Sequence, residues 1–191
     1  VAAWRQTGLG HDAGPVPQRP QERQAWMRFK SQTLTRFTLD LRQAVQAIRG
    51  PQVKTARNLF ALPILEPQSE AWFAQNLDDF LAAYDWTVPM AMPLMESVPI
   101  DASQAWLTRL VQAVASHPGA LKKTIFELQA RDWNRRQQNA IPDQQLADWM
   151  RLLRLNGVKN YGYYPDDFIN NQPDISRIRP QFSSWWYPDH D

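Results

Sequence analysis

Four short, β-prone segments recur at nearly constant spacing, centred near residues 56, 89, 125 and 160, with one amphipathic helix in each interval. A strand that returns after every helix, at a period of roughly 35 residues, is the βα unit of a parallel sheet, because parallel neighbours need a long crossover. Eight such units fill about 250 residues in a (β/α)8 barrel, so four are half of one. The pattern leaves two α/β architectures, a small doubly wound sheet or part of a barrel. It favours the second: the C-terminal half of a (β/α)8 TIM-like barrel whose first half lies outside the sequence.

The elements are readable from their punctuation. Residues 1–19, rich in turn formers (GLGHDAGPVPQRP), are expected to be a loop or entry segment, and 20–191 the half-barrel. Trp26, Phe29, Phe37, Leu41, Val45 and Ile48 recur near 3.6 residues, predicting a helix from Pro20 to Arg49 that Gly50-Pro51 stops. QVKTARNLFALPIL reads as a strand and its exit. Residues 69–85 read as one helix capped by Ser69, with Trp72, Phe73, Leu77, Phe80 and Leu81 inward. A strand over 86–95, a helix over 102–116 and a strand over 122–129 follow. A helix over 142–157, with Pro142 at its start and Gly157 past its end, precedes the last strand, 157–164. Trp26, Trp72, Trp106 and Trp149 fall on apolar helical faces and are expected in the core, while Trp185, Trp186 and Tyr187 are expected to cover the barrel.

Composition removes several chemistries. There is no cysteine, so thiolate catalysis, disulfides and cysteine-metal sites are excluded. The three histidines, His11, His117 and His190, have no ligand spacing, so no metal site is expected. A net charge of +2 without a Lys/Arg stripe argues against a nucleic-acid partner; the nearest feature is RDWNRR at 131–136. No apolar run approaches the ~20 residues of a membrane span, and VAAWRQTGLG is not a signal peptide. No serine elbow or phosphate-cradling glycine loop occurs. Nine Trp, eight Phe and five Tyr leave aromatic faces for stacking as well as packing.

In parallel α/β folds ligands sit at the carboxyl ends of the strands. Those ends carry Arg57 and Asn58; Met92 and Glu96; Glu127, Gln129 and Trp133; and finally Tyr161, Tyr163, Tyr164, Asp166 and Asp167. Glu127, between Phe126 and Leu128, is the first choice for a substrate-contacting carboxylate, and burial should raise its pKa. Its other reading is a tie to Arg131. Asp166 and Asp167 follow Pro165 and suit either a groove that holds an ammonium group or a helix N-terminus. Alternation puts Tyr161 and Tyr163 on one side of the strand and Tyr164 on the other, with core packing the plainer role for each. Trp133, in a polar loop, reads as a stacking platform, and Lys159 as a cation reaching a carboxylate or the mouth.

RNLFALPILEPQSEAWFAQNLDDFLAAYDWTVPMAMP, ELQARDW and LNGVKNYGYYPDDFINNQPDISRIRPQFSSWWYP strongly resemble the C-terminal domain of bacterial poly-β-1,6-N-acetyl-D-glucosamine N-deacetylases, from about Trp26 to Asp191. The resemblance implies a biofilm exopolysaccharide protein of the periplasm and outer membrane. In that family an N-terminal, divalent-metal-dependent deacetylase domain precedes a barrel that binds and hydrolyses the partly deacetylated polymer. It implies as partners the polysaccharide, the rest of the parent chain and an outer-membrane export porin, with no cofactor in this segment. The family's main acidic motif is expected upstream of Val1, so Glu127 is the best catalytic candidate here. The substrate-binding set is Glu127, Trp133, Lys159, Tyr161, Tyr163, Tyr164, Asp166 and Asp167. The alternative is a non-catalytic carbohydrate-binding module that guides the polymer for export.

Overall fold

A computed structural model describes residues 19–134 and 139–182. Helix α1 spans Pro20–Arg49, with proline in its first turn, where a missing N–H costs nothing, and Gly50 at φ 93 ending it. Strand β1 (Ala56–Leu59) runs directly into a short helix α2 (Ala61–Leu65). After α3 (Glu70–Phe73) and α4 (Leu77–Ala83) come β2 (Trp86–Ala91), α5 (Ser103–Ala115) and β3 (Phe126–Gln129). Helix α6 (Asp143–Leu155), β4 (Tyr161–Tyr164) and α7 (Ile175–Ile178) complete the described chain.

The strands lie in the order β1-β2-β3-β4, all parallel. This is the α/β half-barrel arrangement that the repeat predicted. The core sits between the sheet and its helices. Leu59, Phe126 and Leu128 on the sheet meet Leu107, Leu110 and Val114 of α5 and Leu146, Trp149 and Leu153 of α6. Trp149 is fully buried, and its indole N–H donates to Ser103 Oγ at 2.9 Å, so the ring's one polar atom is satisfied. At the entrance of the sheet, Asp85 accepts from the backbone N–H and the hydroxyl of Thr55, both at 2.9 Å. Those bonds, the backbone one foremost, pull its pKa down to about 2.

Local expectations need correction at four places. The region read as one helix over 69–85 is broken, because Ala74 adopts φ 50 and ends α3 after a single turn. Asn76, not Ser69, is the cap: its side chain accepts from the Asp79 N–H at 3.1 Å. The break is held by a polar knot in which Arg28 bonds Glu70 and Asp79 at 3.1 and 2.9 Å, while Asn76 donates to Glu70 at 3.1 Å. Trp72 is consequently 76% exposed, since the inward face drawn across 69–85 does not continue through the break. The apolar stripe of α1 also faces outward, with Phe37 58% and Ile48 83% exposed. The strands are shorter than expected: the exit of β1 is helical, β2 ends at Ala91, β3 begins at Phe126 and β4 at Tyr161. No helix starts at Asp166 or Asp167; α7 is capped instead by Asp174, which accepts from the Ser176 N–H. Trp185, Trp186 and Tyr187 lie outside the described residues, as does the entry segment apart from Arg19.

Candidate active site

Register decides which side chains share a face. Asn58 pairs with Val88, Met90 with Glu127, Glu127 with Gly162 and Gln129 with Tyr164. Side chains alternate along each strand, so Asn58, Met90, Glu127 and Tyr164 all project from the face opposite the helix-covered core. Tyr161 and Tyr163 project to the other side, as alternation required. Their rings meet Phe182 at 5.7 and 6.1 Å, and the Tyr161 hydroxyl donates to the Gln181 carbonyl.

At the carboxyl ends of β1 to β4 a cavity of about 280 Å3 is lined by Asn58, Glu127, Trp133 and Tyr164, with Met90, Met92 and Met95 as its apolar wall. Trp133 and Tyr164 stack, with ring centroids 6.1 Å apart and planes 25° from parallel. Gln129, fully buried, sets the wall: its Oε1 accepts from the Leu94 and Met95 N–H groups at 2.7 and 3.3 Å, and its Nε2 donates to the Arg131 carbonyl at 2.8 Å. One side chain thus ties the loop after β2 to the loop after β3. Asn134 donates to the Leu94 carbonyl and reinforces the tie.

Among the described residues Glu127 is the one carboxylate lining this cavity. Burial raises its pKa, opposed by a hydrogen bond from Asn58 Nδ2 to Oε2 at 3.0 Å. It does not pair with Arg131, which faces Asp167 at 3.8 Å. Glu96, in the loop after β2, is also raised by burial. A half-buried acid beside aromatic faces and thioethers can accept from an amine or hydroxyl, or hold a proton, while the rings take the apolar face of a sugar.

Of the substrate-binding set expected from the sequence, the cavity gathers Glu127, Trp133 and Tyr164, and of the other strand-end residues it takes Asn58 and Met92. Asp166 accepts from the Tyr163 hydroxyl at 3.0 Å, and burial together with that bond pushes Tyr163 up to about 12. Asp167 accepts from the side chain of Asn170 at 2.8 Å, which together with the Asn170 N–H and Arg131 lowers its pKa. Lys159 precedes β4 and lines a separate cavity with Arg154 and Gly157, at the end of the sheet away from Glu127. Met90, Met95 and the Gln129 clamp were not singled out as site residues. The signal for Met90 was available as strand parity with Met92, whereas the clamp needs two loops placed in space. Among the described residues no cluster of three or more His, Cys, Asp or Glu could hold a metal.

The model of hypothetical glycosyl hydrolase family 13 matches residues 1–164. The chain belongs to that family. It is 53% identical over 192 aligned positions to the poly-beta-1,6-N-acetyl-D-glucosamine N-deacetylases of Escherichia coli K12 and O157:H7, an alignment that covers all of this chain and 29% of each relative. It is similar in structure to the PgaB (BpsB) glycoside hydrolase domain of Bordetella bronchiseptica, with a TM-score of 0.84 and 42% identity over 95% of this chain and 50% of that one. The chain therefore spans less than a third of the curated relatives and half of the solved domain. Its four parallel staves are the half-barrel of family 13, and no described helix is long and apolar enough to cross a membrane.

Proposed function

We propose that this chain of hypothetical glycosyl hydrolase family 13 is the polymer-contacting half of a barrel that acts on partly deacetylated poly-β-1,6-N-acetylglucosamine. The observation that carries this reading is the shared cavity of Glu127, Trp133 and Tyr164 at the carboxyl ends of parallel strands. In the reading, the stacked rings carry a sugar face and Glu127 receives an amine or hydroxyl. Residues 20–191 form the second half of the barrel. The preceding half, with its acidic motif, and a metal-dependent deacetylase domain belong to the parent protein. That protein works in the periplasm, on a biofilm polysaccharide bound for an outer-membrane export porin.

A second reading, a binding module without hydrolysis, is favoured by one feature. Glycosidases commonly use two carboxylates, and among the described residues Glu127 is the one carboxylate lining this cavity. Hydrolysis therefore needs a second acid from the preceding half.

Calorimetric titration with a partly deacetylated β-1,6 oligosaccharide tests the reading. Trp133→Ala and Glu127→Gln should each weaken binding, the former by roughly tenfold, as loss of one aromatic face implies. Equal affinity in the parent and both variants would remove the cavity from the function. With the preceding half present, shortening of the oligomer supports hydrolysis, and binding with no shortening supports the module.

A further inference from the structure

We propose that Asn58 is a positioning residue for Glu127: from β1 it engages carboxylate oxygen Oε2 and leaves Oε1 to meet the amine or hydroxyl of a bound sugar. The choice of ligand rests on the polysaccharide reading above; the geometry does not.

Strands β1 and β3 are not neighbours, since β2 lies between them. Asn58 nevertheless reaches over the middle strand and donates from Nδ2 to Glu127 Oε2 at 3.0 Å. Both residues line the same cavity, together with Met90 of the middle strand. Among the described residues no donor bonds Oε1. Two described cations close in sequence to these residues are directed elsewhere. Arg57, adjacent to Asn58, points to the other face and bonds Thr38 and Tyr84 at 3.1 and 2.6 Å, while Arg131 faces Asp167. Among the described residues Tyr164 is the only other titratable side chain on the cavity wall, and Glu96 is the remaining carboxylate of the adjoining loop.

Among the described residues no cation bonds Glu127, so the neutral amide of Asn58 is what opposes the effect of burial and turns the carboxylate one way. Removing it leaves burial unopposed and frees the carboxylate to rotate. Replacing it by a carboxylate, at equal volume, exchanges a donor for a like charge.

The test is a carbon-13 carboxyl NMR titration of the 191-residue chain, with the Glu127 resonance assigned by its loss in Glu127→Gln. Asn58→Ala should raise the Glu127 midpoint by roughly half a pH unit or more, and Asn58→Asp should raise it further. Asn58→Asp conserves volume and carries the test should the alanine variant fold poorly. Midpoints unchanged in the folded variants overturn the proposal, as does a fall. Titration with a β-1,6-linked glucosamine oligomer separates the two readings. If the midpoint moves and the parent chain binds no oligomer, the positioning role stands and the polysaccharide reading falls. If the parent binds and the midpoint stays, the positioning role falls alone. Where both stand, oligomer affinity in Asn58→Ala should drop several-fold on the acid side and recover as pH rises through the new midpoint.

Discussion

Helices α5 and α6 bury Leu107, Leu110, Trp149 and Leu153 completely, whereas α1, read from the same spacing of apolar residues, turns Phe37 and Ile48 outward. The two flanks differ in what docks them. On the α5–α6 side, aliphatic and aromatic faces interlock over the sheet. On the α1 side the contacts are largely polar: Arg28 with Glu70 and Asp79, Arg42 with the Ala83 carbonyl at 3.2 Å, and Thr38 with Tyr84. A 3.6-residue period therefore identifies a face that excludes water when covered, but says nothing of what covers it. On α1 the polar clamp fixes the helix, and Leu41 and Val45 of its apolar row line a cavity with Ala56 and Arg57 of β1, the edge strand of the described sheet, where a barrel would place the preceding unit.

The largest expected effect tests the packed flank. Trp149→Ala should destabilise the chain by about 3–5 kcal/mol, because it opens a cavity in the centre of the core and removes the hydrogen bond that Ser103 Oγ accepts. Urea unfolding measures it, and a loss below about 1 kcal/mol would show that this flank is not where stability resides.

Arg28→Ala tests the polar clamp. Glu70 is only 3% exposed, so it would keep Asn76 but lose its cation. A cost of about 2 kcal/mol is expected, below that of a fully buried pair because Arg28 itself is partly in water. Hydrogen exchange should show α1 losing protection before the sheet does. Simultaneous loss throughout the chain would mean that the clamp and the core form one cooperative unit.

Asp85→Asn separates both flanks from the entrance of the sheet. The folded-state pKa lies below the unfolded one, so the stabilisation is complete above about pH 4 and is lost as pH falls towards 2. The shift corresponds to ~2 kcal/mol at neutral pH, less whatever solvent screens. Stability profiles of the parent and Asp85→Asn should converge in acid; curves that stay parallel down to pH 2 would assign the effect to something other than this carboxylate.

The order of strands and helices, and the gathering of Glu127, Trp133 and Tyr164, were legible in the sequence because both follow from local rules. Parallel crossovers put every strand exit at one end, and a two-residue alternation sorts Tyr164 from Tyr161 and Tyr163. The break at Ala74 was not legible. It depends on Arg28, some forty positions away, reaching Glu70, and the segment's own pattern reads as one continuous helix. The bond from Asn58 to Glu127 was hidden for a related reason, since it requires the register of two strands separated by a third. Lys159 was drawn into the site by a strand read four residues too long at its start; β4 begins at Tyr161, which leaves the lysine at the entrance. Sequence periodicity carried the order and the side-chain parity of the elements, but not the exact strand limits nor the contacts that polar side chains close between distant elements.

The smallest expected effect sharpens the contrast of the flanks most. Ile48→Ser and Phe37→Ser remove large apolar groups from a helix, a change that on α5 or α6 would cost several kcal/mol. On α1 of this chain these side chains are already largely in water, so each should shift stability by no more than about 0.5 kcal/mol, mostly through helix propensity. The same substitutions in a protein that carries the preceding β/α units should cost about 1.5–3 kcal/mol each, the value of burying such a side chain. The difference between the two measurements is then a direct reading of what the neighbouring unit contributes at α1. Equal costs in both proteins would mean that the stripe stays uncovered and that the barrel closes against some other surface. A large cost in the short chain alone would mean that copies of it already cover the row in solution, and sedimentation of the parent and Phe37→Ser would then differ in mass.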